Sequence, residues 1–188
     1  MIFKRVAKGR FPMFGSGRTL YHPLYIDNLV DAFLLAMEPG NLAASERLEA
    51  IYRTVGTWDR LIELLLSRTE YVKGPQKVEL FQAMATIYER EMGDREGAFV
   101  VLQAAFKEDY SDATTSRELE RIATQTGRWN ELVSDYTQVV QTITDKKVAA
   151  DLWVKIGRWY GEHLNHLEYA IASEKQALAL VPENKEAL

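Results

Sequence analysis

The chain has 188 residues, of which 47% are hydrophobic and 27% are charged, and its formal net charge is −4. These values are typical of a soluble folded protein, and no apolar run reaches the ~18 residues that a membrane-spanning helix needs. Cysteine is absent, which excludes disulfides, thiolate metal sites and cysteine nucleophiles and suits a reducing compartment, so we expect a cytoplasmic protein.

Residues 1–40 differ from the rest in composition and charge. They carry a net charge of +2, against −6 for the remainder. Their basic start has no continuous apolar core, so we expect no secretory signal. Glycines and prolines between Phe11 and Ile26 predict short extended pieces joined by turns. Asp27 then predicts the N-cap of a helix that Pro39-Gly40 ends.

This first segment resembles a piece of the extended short-chain dehydrogenases/reductases, the class of NAD-dependent epimerases and dehydratases. The resemblance rests on the turn Gly15-x-Gly17, on the run from Pro23 to Asn28 and on the helix after that run. It implies residues that line a substrate pocket. The glycine fingerprint for a dinucleotide and the family's Tyr-x3-Lys pair are absent from the sequence, so we expect no dehydrogenase activity, no catalytic residues and no cofactor. The segment is either a natural fusion, a remnant that caps the remainder of the chain, or an artificial junction.

The chain from residue 41 onward contains an internal repeat. The segment from Leu48 to Leu61 resembles the segment from Leu119 to Leu132, with matched residues 71 positions apart, and Phe81 matches Trp153 at an offset of 72. A unit of this length predicts two helical hairpins, which cannot bury their apolar faces alone and must stack. We place the hairpins near 42–72, 76–111, 113–143 and 146–182. The bends inside them are predicted at Gly56, Gly93, Gly127 and Asn165-His166.

The last hairpin resembles a tetratricopeptide (TPR) repeat. Its residues Trp153, Ile156-Gly157 and Tyr160, followed by two alanines and Pro182, match the family pattern. The resemblance implies a mainly α fold, a right-handed TPR-like superhelix of about four hairpins over residues 41–188, with the short irregular α/β segment 1–40 before it. Small residues at the pattern positions should let paired helices approach closely.

The family also implies a partner-binding concave face, which the first helix of each hairpin lines. Projecting the pattern onto this chain gives thirteen candidates for contact with a partner. They are Glu46, Glu49, Arg53, Glu79, Gln82, Thr86, Glu89, Arg117, Glu120, Thr124, Asp151, Val154 and Arg158. Acidic residues outnumber basic ones in this set, which favours a protein or peptide partner of positive charge.

Other chemistry is weakly supported. The run FGSGRT at 14–19 lacks the glycine and lysine of a phosphate-binding loop, and a turn is the better interpretation. His163 and His166 share a spacing of three, but too few ligands accompany them, so we expect no metal. Of Trp153, Trp159 and Tyr160, which lie close together in the sequence, only Trp159 is off the packing positions and free to be exposed. Trp58 and Trp129 recur at equivalent places, which predicts packing between repeats.

Three functions are compatible with these observations. The first is a non-catalytic scaffold that binds a protein or peptide in the concave face, with no nucleic acid and no membrane as partner. The second is a subunit or remnant of an epimerase/dehydratase-type enzyme. The third is a structural repeat protein that self-associates, because no clear polar capping helix comes after Pro182.

Overall fold

The structure is a computed structural model, which describes residues 42–182. The chain divides into two compact units, residues 1–48 and 49–188. The predicted reductase-like segment 1–40, with its turn and its helix, lies outside the described residues.

The described part of the chain is entirely helical between its turns. Eight helices succeed one another within residues 42–182: α1 Leu42–Val55, α2 Trp58–Arg68, α3 Pro75–Arg90, α4 Arg95–Glu108, α5 Ala113–Thr126, α6 Trp129–Val140, α7 Lys146–Glu162 and α8 Leu167–Leu180. Among them, α3 pairs with α4 and α7 with α8, while α4 packs on α5 and α6 on α7. The part of the chain that the structure describes is therefore a TPR-like helical solenoid, as the repeat period predicts.

The bends lie where the sequence places them. Gly56, Gly93 and Gly127 have φ values of 76°, 67° and 74°, and Asn165 has a φ of 54°. An L-residue with a β-carbon rarely adopts this left-handed conformation, so glycine and asparagine end the first helix of each hairpin at low cost. Each bend thus reverses the direction of the chain, and successive bends recur at an almost constant spacing along the sequence.

Aspartates set the starts of three helices. The carboxylate of Asp94 accepts a hydrogen bond from the Gly97 amide at 2.9 Å. Those of Asp112 and Asp145 do the same for α5 and α7. These contacts satisfy amides that have no partner inside the helix. The helices α4, α5 and α7 therefore begin at defined residues.

A column of aromatic side chains forms the core across the last three hairpins. Phe106 stacks on Tyr136 with ring centroids 4.0 Å apart. Tyr136 meets the edge of Trp159 at 4.7 Å, and Trp159 lies 5.8 Å from Trp129. The predicted packing of Trp129 between repeats is confirmed. The prediction that Trp159 is free to be exposed is wrong, because only 1% of its surface is accessible.

Gly157 marks the close approach of α7 and α8. A β-carbon at this position would lie 3.3 Å from the carbonyl oxygen of Ala170 and 2.7 Å from Oε1 of Glu174. Ala98 and Ala85 are also buried at the pattern positions. The expectation that small residues permit close packing is confirmed at these positions.

None of the helices between residues 42 and 182 combines the length and the apolar character that crossing a membrane would require.

Candidate partner-binding groove

A groove of about 1080 Å³ opens between α5 and α7, the first helices of the third and fourth hairpins. Helix α5 contributes one wall and α7 the other, and residues of the turn before α5 and Val181 after α8 also line the groove. The lining residues are Tyr110, Ser111, Ala113, Ser116, Arg117, Glu120, Lys147, Val148, Asp151, Leu152, Val154, Lys155, Arg158 and Val181. The groove thus combines an apolar floor with charged walls.

Five of the thirteen predicted contact residues meet in this groove: Arg117, Glu120, Asp151, Val154 and Arg158. The other eight do not line it. They lie on α1, on α3 and at the end of α5: Glu46, Glu49, Arg53, Glu79, Gln82, Thr86, Glu89 and Thr124. Whether these eight contact a partner stays a prediction.

Polar contacts already occupy several of these eight side chains. Arg121 of α5 donates to both carboxylate oxygens of Glu89 on α3, at 2.7 and 2.6 Å. This pairing lowers the pKa of Glu89, because the hydrogen bonds from Arg121 favour its charged form. Gln82 donates to Asp112 at 2.8 Å and to Thr115 at 3.0 Å. These bonds join one hairpin to the next.

The negative charge of Glu49 is likewise compensated by arginine side chains inside the first hairpin. Arg68 of α2 donates to one of its oxygens at 2.7 Å, and Arg53 donates to the other at 2.9 Å. The acidic surplus that predicts a basic partner therefore includes side chains whose charge is already compensated. The predicted basic character of the partner has no support from these contacts.

The charge balance inside the groove has the opposite sign. Four basic side chains, Arg117, Lys147, Lys155 and Arg158, face two acidic ones. Lys155 spans the groove and pairs with Glu120 across it at 3.0 Å. Among residues 45–182, whose side chains the structure describes, the other three basic groups form no ion pair, and all three are exposed. The open part of the groove is consequently positive in an otherwise acidic protein.

Sequence reasoning missed two of the basic residues in the groove. Lys147 lies one helical turn before Asp151, on the stripe of α7 that continues through Val154 and Arg158. The spacing that identifies those three would also include Lys147 once the helix start at Asp145 is recognised. Lys155 is adjacent to Val154 in sequence and reaches the groove through its long side chain.

Ser116 closes the groove toward the core. Its hydroxyl accepts a hydrogen bond from the Tyr136 hydroxyl at 2.9 Å, and both residues are buried. Desolvation raises the pKa of Tyr136 to about 12. This phenol is therefore neutral over the physiological range and anchors α6 beneath the groove.

The two histidines of the last hairpin have packing contacts. His163 stacks on Trp129 with ring centroids 3.7 Å apart and an interplanar angle of 4°. His166 meets the edge of Tyr169 at 5.8 Å. Within the described residues, no group of three or more His, Cys, Asp or Glu side chains is arranged to hold a metal ion.

Helix α8 exposes apolar side chains on its outer side. Leu167, Tyr169 and Ile171 are each more than half exposed. Such a surface is what self-association through the last hairpin would use. That association stays a prediction.

Comparisons with known proteins find similarity among solved structures. No protein-family model matches the chain, and no curated protein does. The chain is similar to the solved structure of MamA at 19% identity, covering 74% of this chain and 77% of that chain, with a TM-score of 0.39. It is also similar to YrrB, described as a TPR protein with an unusual peptide-binding site, at 16% identity. That match covers 87% of this chain and 83% of that chain, with a TM-score of 0.40.

These comparisons assign the chain to no family. The reductase resemblance of the first forty residues finds no support among the matches.

Proposed function

We propose that the chain is a non-catalytic protein-binding scaffold, and that its partner presents a short extended segment to the groove between α5 and α7. The observation that carries the proposal is the groove itself. Its two walls are first helices of consecutive hairpins, and it gathers five side chains that the repeat pattern assigns to a binding face. An apolar floor with a few polar groups is the usual composition of a ligand site.

The contrast with the neighbouring hairpins supports this location. Between α3 and α5 the polar side chains bond to each other, as in the pair Glu89–Arg121 at 2.6 Å. Between α5 and α7, one such bond is made, from Lys155 to Glu120. Arg117 and Arg158 are exposed beside it without an ion-pair partner among the described residues. Unpaired charges at the edge of an apolar groove can bond a partner without first breaking a bond within the protein.

The size of the groove fits a peptide. Its volume of about 1080 Å³ is at the upper end of the range for ligand sites, which is roughly 300–1,000 Å³. It is a groove open to solvent rather than an enclosed cavity. We therefore favour a segment of a protein over a small metabolite, and a cytoplasmic partner in view of the cysteine-free composition.

The proposal is tested by selecting binders from a displayed library of random peptides against the whole chain. We expect the selected peptides to lose at least ten-fold in affinity when Val154 is changed to tryptophan, because the larger side chain fills the groove. The matched control is Ala172→Trp on the exposed side of α8, and it should leave the affinity unchanged. Circular dichroism establishes that both variants are folded. Equal effects of the two substitutions, or no selected binder, would reject the groove as the binding site.

A further inference from the structure

The charges in the groove indicate the chemical class of its ligand. We infer that the groove binds an acidic extended segment, with two carboxylate side chains about five residues apart. This inference rests on the proposed function and deepens it. It also reverses the expectation of a basic partner that the sequence favours.

The cations that would receive such a segment are in place. Lys147 and Arg158 lie on α7 and Arg117 lies on α5, all exposed at the groove. None of the three pairs with an acidic side chain among the residues whose side chains are described. Lys155 contributes less, since Glu120 already holds its ammonium group at 3.0 Å. The groove therefore offers three cationic groups to a ligand.

The spacing along α7 sets the spacing in the ligand. Lys147 and Arg158 are eleven residues apart, which is about 16 Å along an α-helix at ~1.5 Å per residue. An extended peptide advances ~3.3 Å per residue, so about five residues span the same distance. One carboxylate would meet Lys147 and the other would meet Arg158, with Arg117 facing them from α5.

The middle of the groove has a different preference. Asp151 lies between Lys147 and Arg158 on the same stripe of α7, and it forms no ion pair with any described residue. Its charge would repel a third carboxylate at the centre of the ligand. The apolar surface of Val148 and Leu152 beside it suits an aliphatic side chain there. The preferred ligand is thus acidic at both ends and apolar between them. The repulsion by Asp151 adds specificity against ligands with a central carboxylate.

The net charge of the whole chain does not oppose this binding. It is −4, but charges farther apart than about 8 Å are largely screened at physiological salt. The three cations of the groove act at contact distance, where screening is weaker. Binding should therefore weaken as salt is added, because exposed charge pairs lose strength first.

The test uses three fluorescein-labelled decapeptides with a common neutral sequence and a central leucine. They carry glutamate, glutamine or lysine at two positions five residues apart. Fluorescence anisotropy with the whole protein should give the glutamate peptide at least a ten-fold lower Kd than the lysine peptide. Raising the salt from 50 to 200 mM should raise the Kd of the glutamate peptide. A lysine peptide that binds as tightly as the glutamate peptide would overturn the inference.

Neutral substitutions locate the contacts. Arg117→Gln and Arg158→Gln should each raise the Kd of the glutamate peptide about two- to five-fold, as expected for one exposed charge pair. Lys175→Gln, an equal change of charge on the exposed side of α8, should have no effect. The inference fails if Lys175→Gln weakens binding as much as the arginine substitutions do. It also fails if ten nucleotides of single-stranded DNA compete as well as the unlabelled glutamate peptide, since the groove would then recognise any polyanion.

The two proposals can fail separately. If the glutamine or lysine peptide binds best and Val154→Trp abolishes that binding, the groove is a peptide site of different chemistry, and only the inference of an acidic ligand is lost. If no peptide of the three is sensitive to Val154→Trp, the groove is not the binding site, and both proposals are lost.

Discussion

Gly157 and Gly161 lie one helical turn apart on α7, and replacing each with alanine should change stability in opposite directions. Replacing glycine with alanine inside a helix stabilises it by up to about 1 kcal/mol, because alanine loses less backbone entropy. At Gly161 the new β-carbon would lie 3.9 Å from Ala170, an ordinary contact. Gly161→Ala should therefore raise the free energy of unfolding, by about 0.5 kcal/mol this close to the helix end.

At Gly157 the same gain is opposed by a clash. The new β-carbon would lie 3.3 Å from the backbone oxygen of Ala170 and 2.7 Å from Oε1 of Glu174. The end of the glutamate side chain can move, but the backbone of α8 must shift for the oxygen to retreat. Overpacking of this kind costs about 1–3 kcal/mol. The net effect of Gly157→Ala should be a loss of about 1 kcal/mol.

Urea denaturation monitored by circular dichroism measures both changes at once. The free energies of unfolding of the two variants should differ by about 1.5 kcal/mol. This difference reports the clash at Gly157, because the gain in helix propensity is common to both. A double variant, Gly157→Ala with Glu174→Ala, removes the contact with the glutamate, and compared with Glu174→Ala alone it should keep most of the loss, because the backbone oxygen of Ala170 remains. If Gly157→Ala is as stabilising as Gly161→Ala, the close approach of α7 and α8 does not require glycine and the reasoning is wrong.

Three further substitutions test the core and the charges around it. Trp159→Ala should lower the free energy of unfolding by about 3–5 kcal/mol in the same assay, because it empties a fully buried aromatic site. Tyr136→Phe should cost about 1 kcal/mol, because the buried Ser116 hydroxyl loses its bond at 2.9 Å. Desolvation raises the pKa of Glu174 above 4.5, so the folded state binds its proton more tightly and loses stability as the pH rises from 4.5 to 7. Glu174→Gln should therefore raise the free energy of unfolding at pH 7 and have little effect at pH 4, as measured by urea denaturation at both values.

The arrangement of the hairpins can be predicted from the sequence because it depends on local signals. Gly56, Gly93 and Gly127 recur at nearly constant spacing, and a glycine in the left-handed conformation ends a helix wherever it occurs. Helical periodicity then assigns the buried side chains between the bends. One such hairpin cannot bury its apolar face alone. The repeat alone is thus sufficient to predict a stacked array of helical hairpins.

The partners of the polar side chains depend on distances between hairpins, which the sequence does not contain. Glu89 and Arg121 are thirty-two positions apart, so the sequence does not show that Glu89 is already paired and less available to a partner. The burial of Trp159 escapes prediction for a similar reason. It is off the family's packing positions in its own hairpin, but it packs on Tyr136 of the preceding one. Charge complementarity of the groove can be judged only once these pairs are known.

The central claim is that a partner segment lies between α5 and α7, and disulfide trapping tests it most directly. The chain has no cysteine of its own, so a single one can be introduced without interference. The glutamate decapeptide with cysteine in place of its central leucine should form a mixed disulfide with the Val154→Cys protein. An excess of the cysteine-free peptide should suppress that product, and Ala172→Cys on α8 should trap little. Equal trapping at both positions, or trapping at Val154→Cys that the competitor leaves unchanged, would contradict the account.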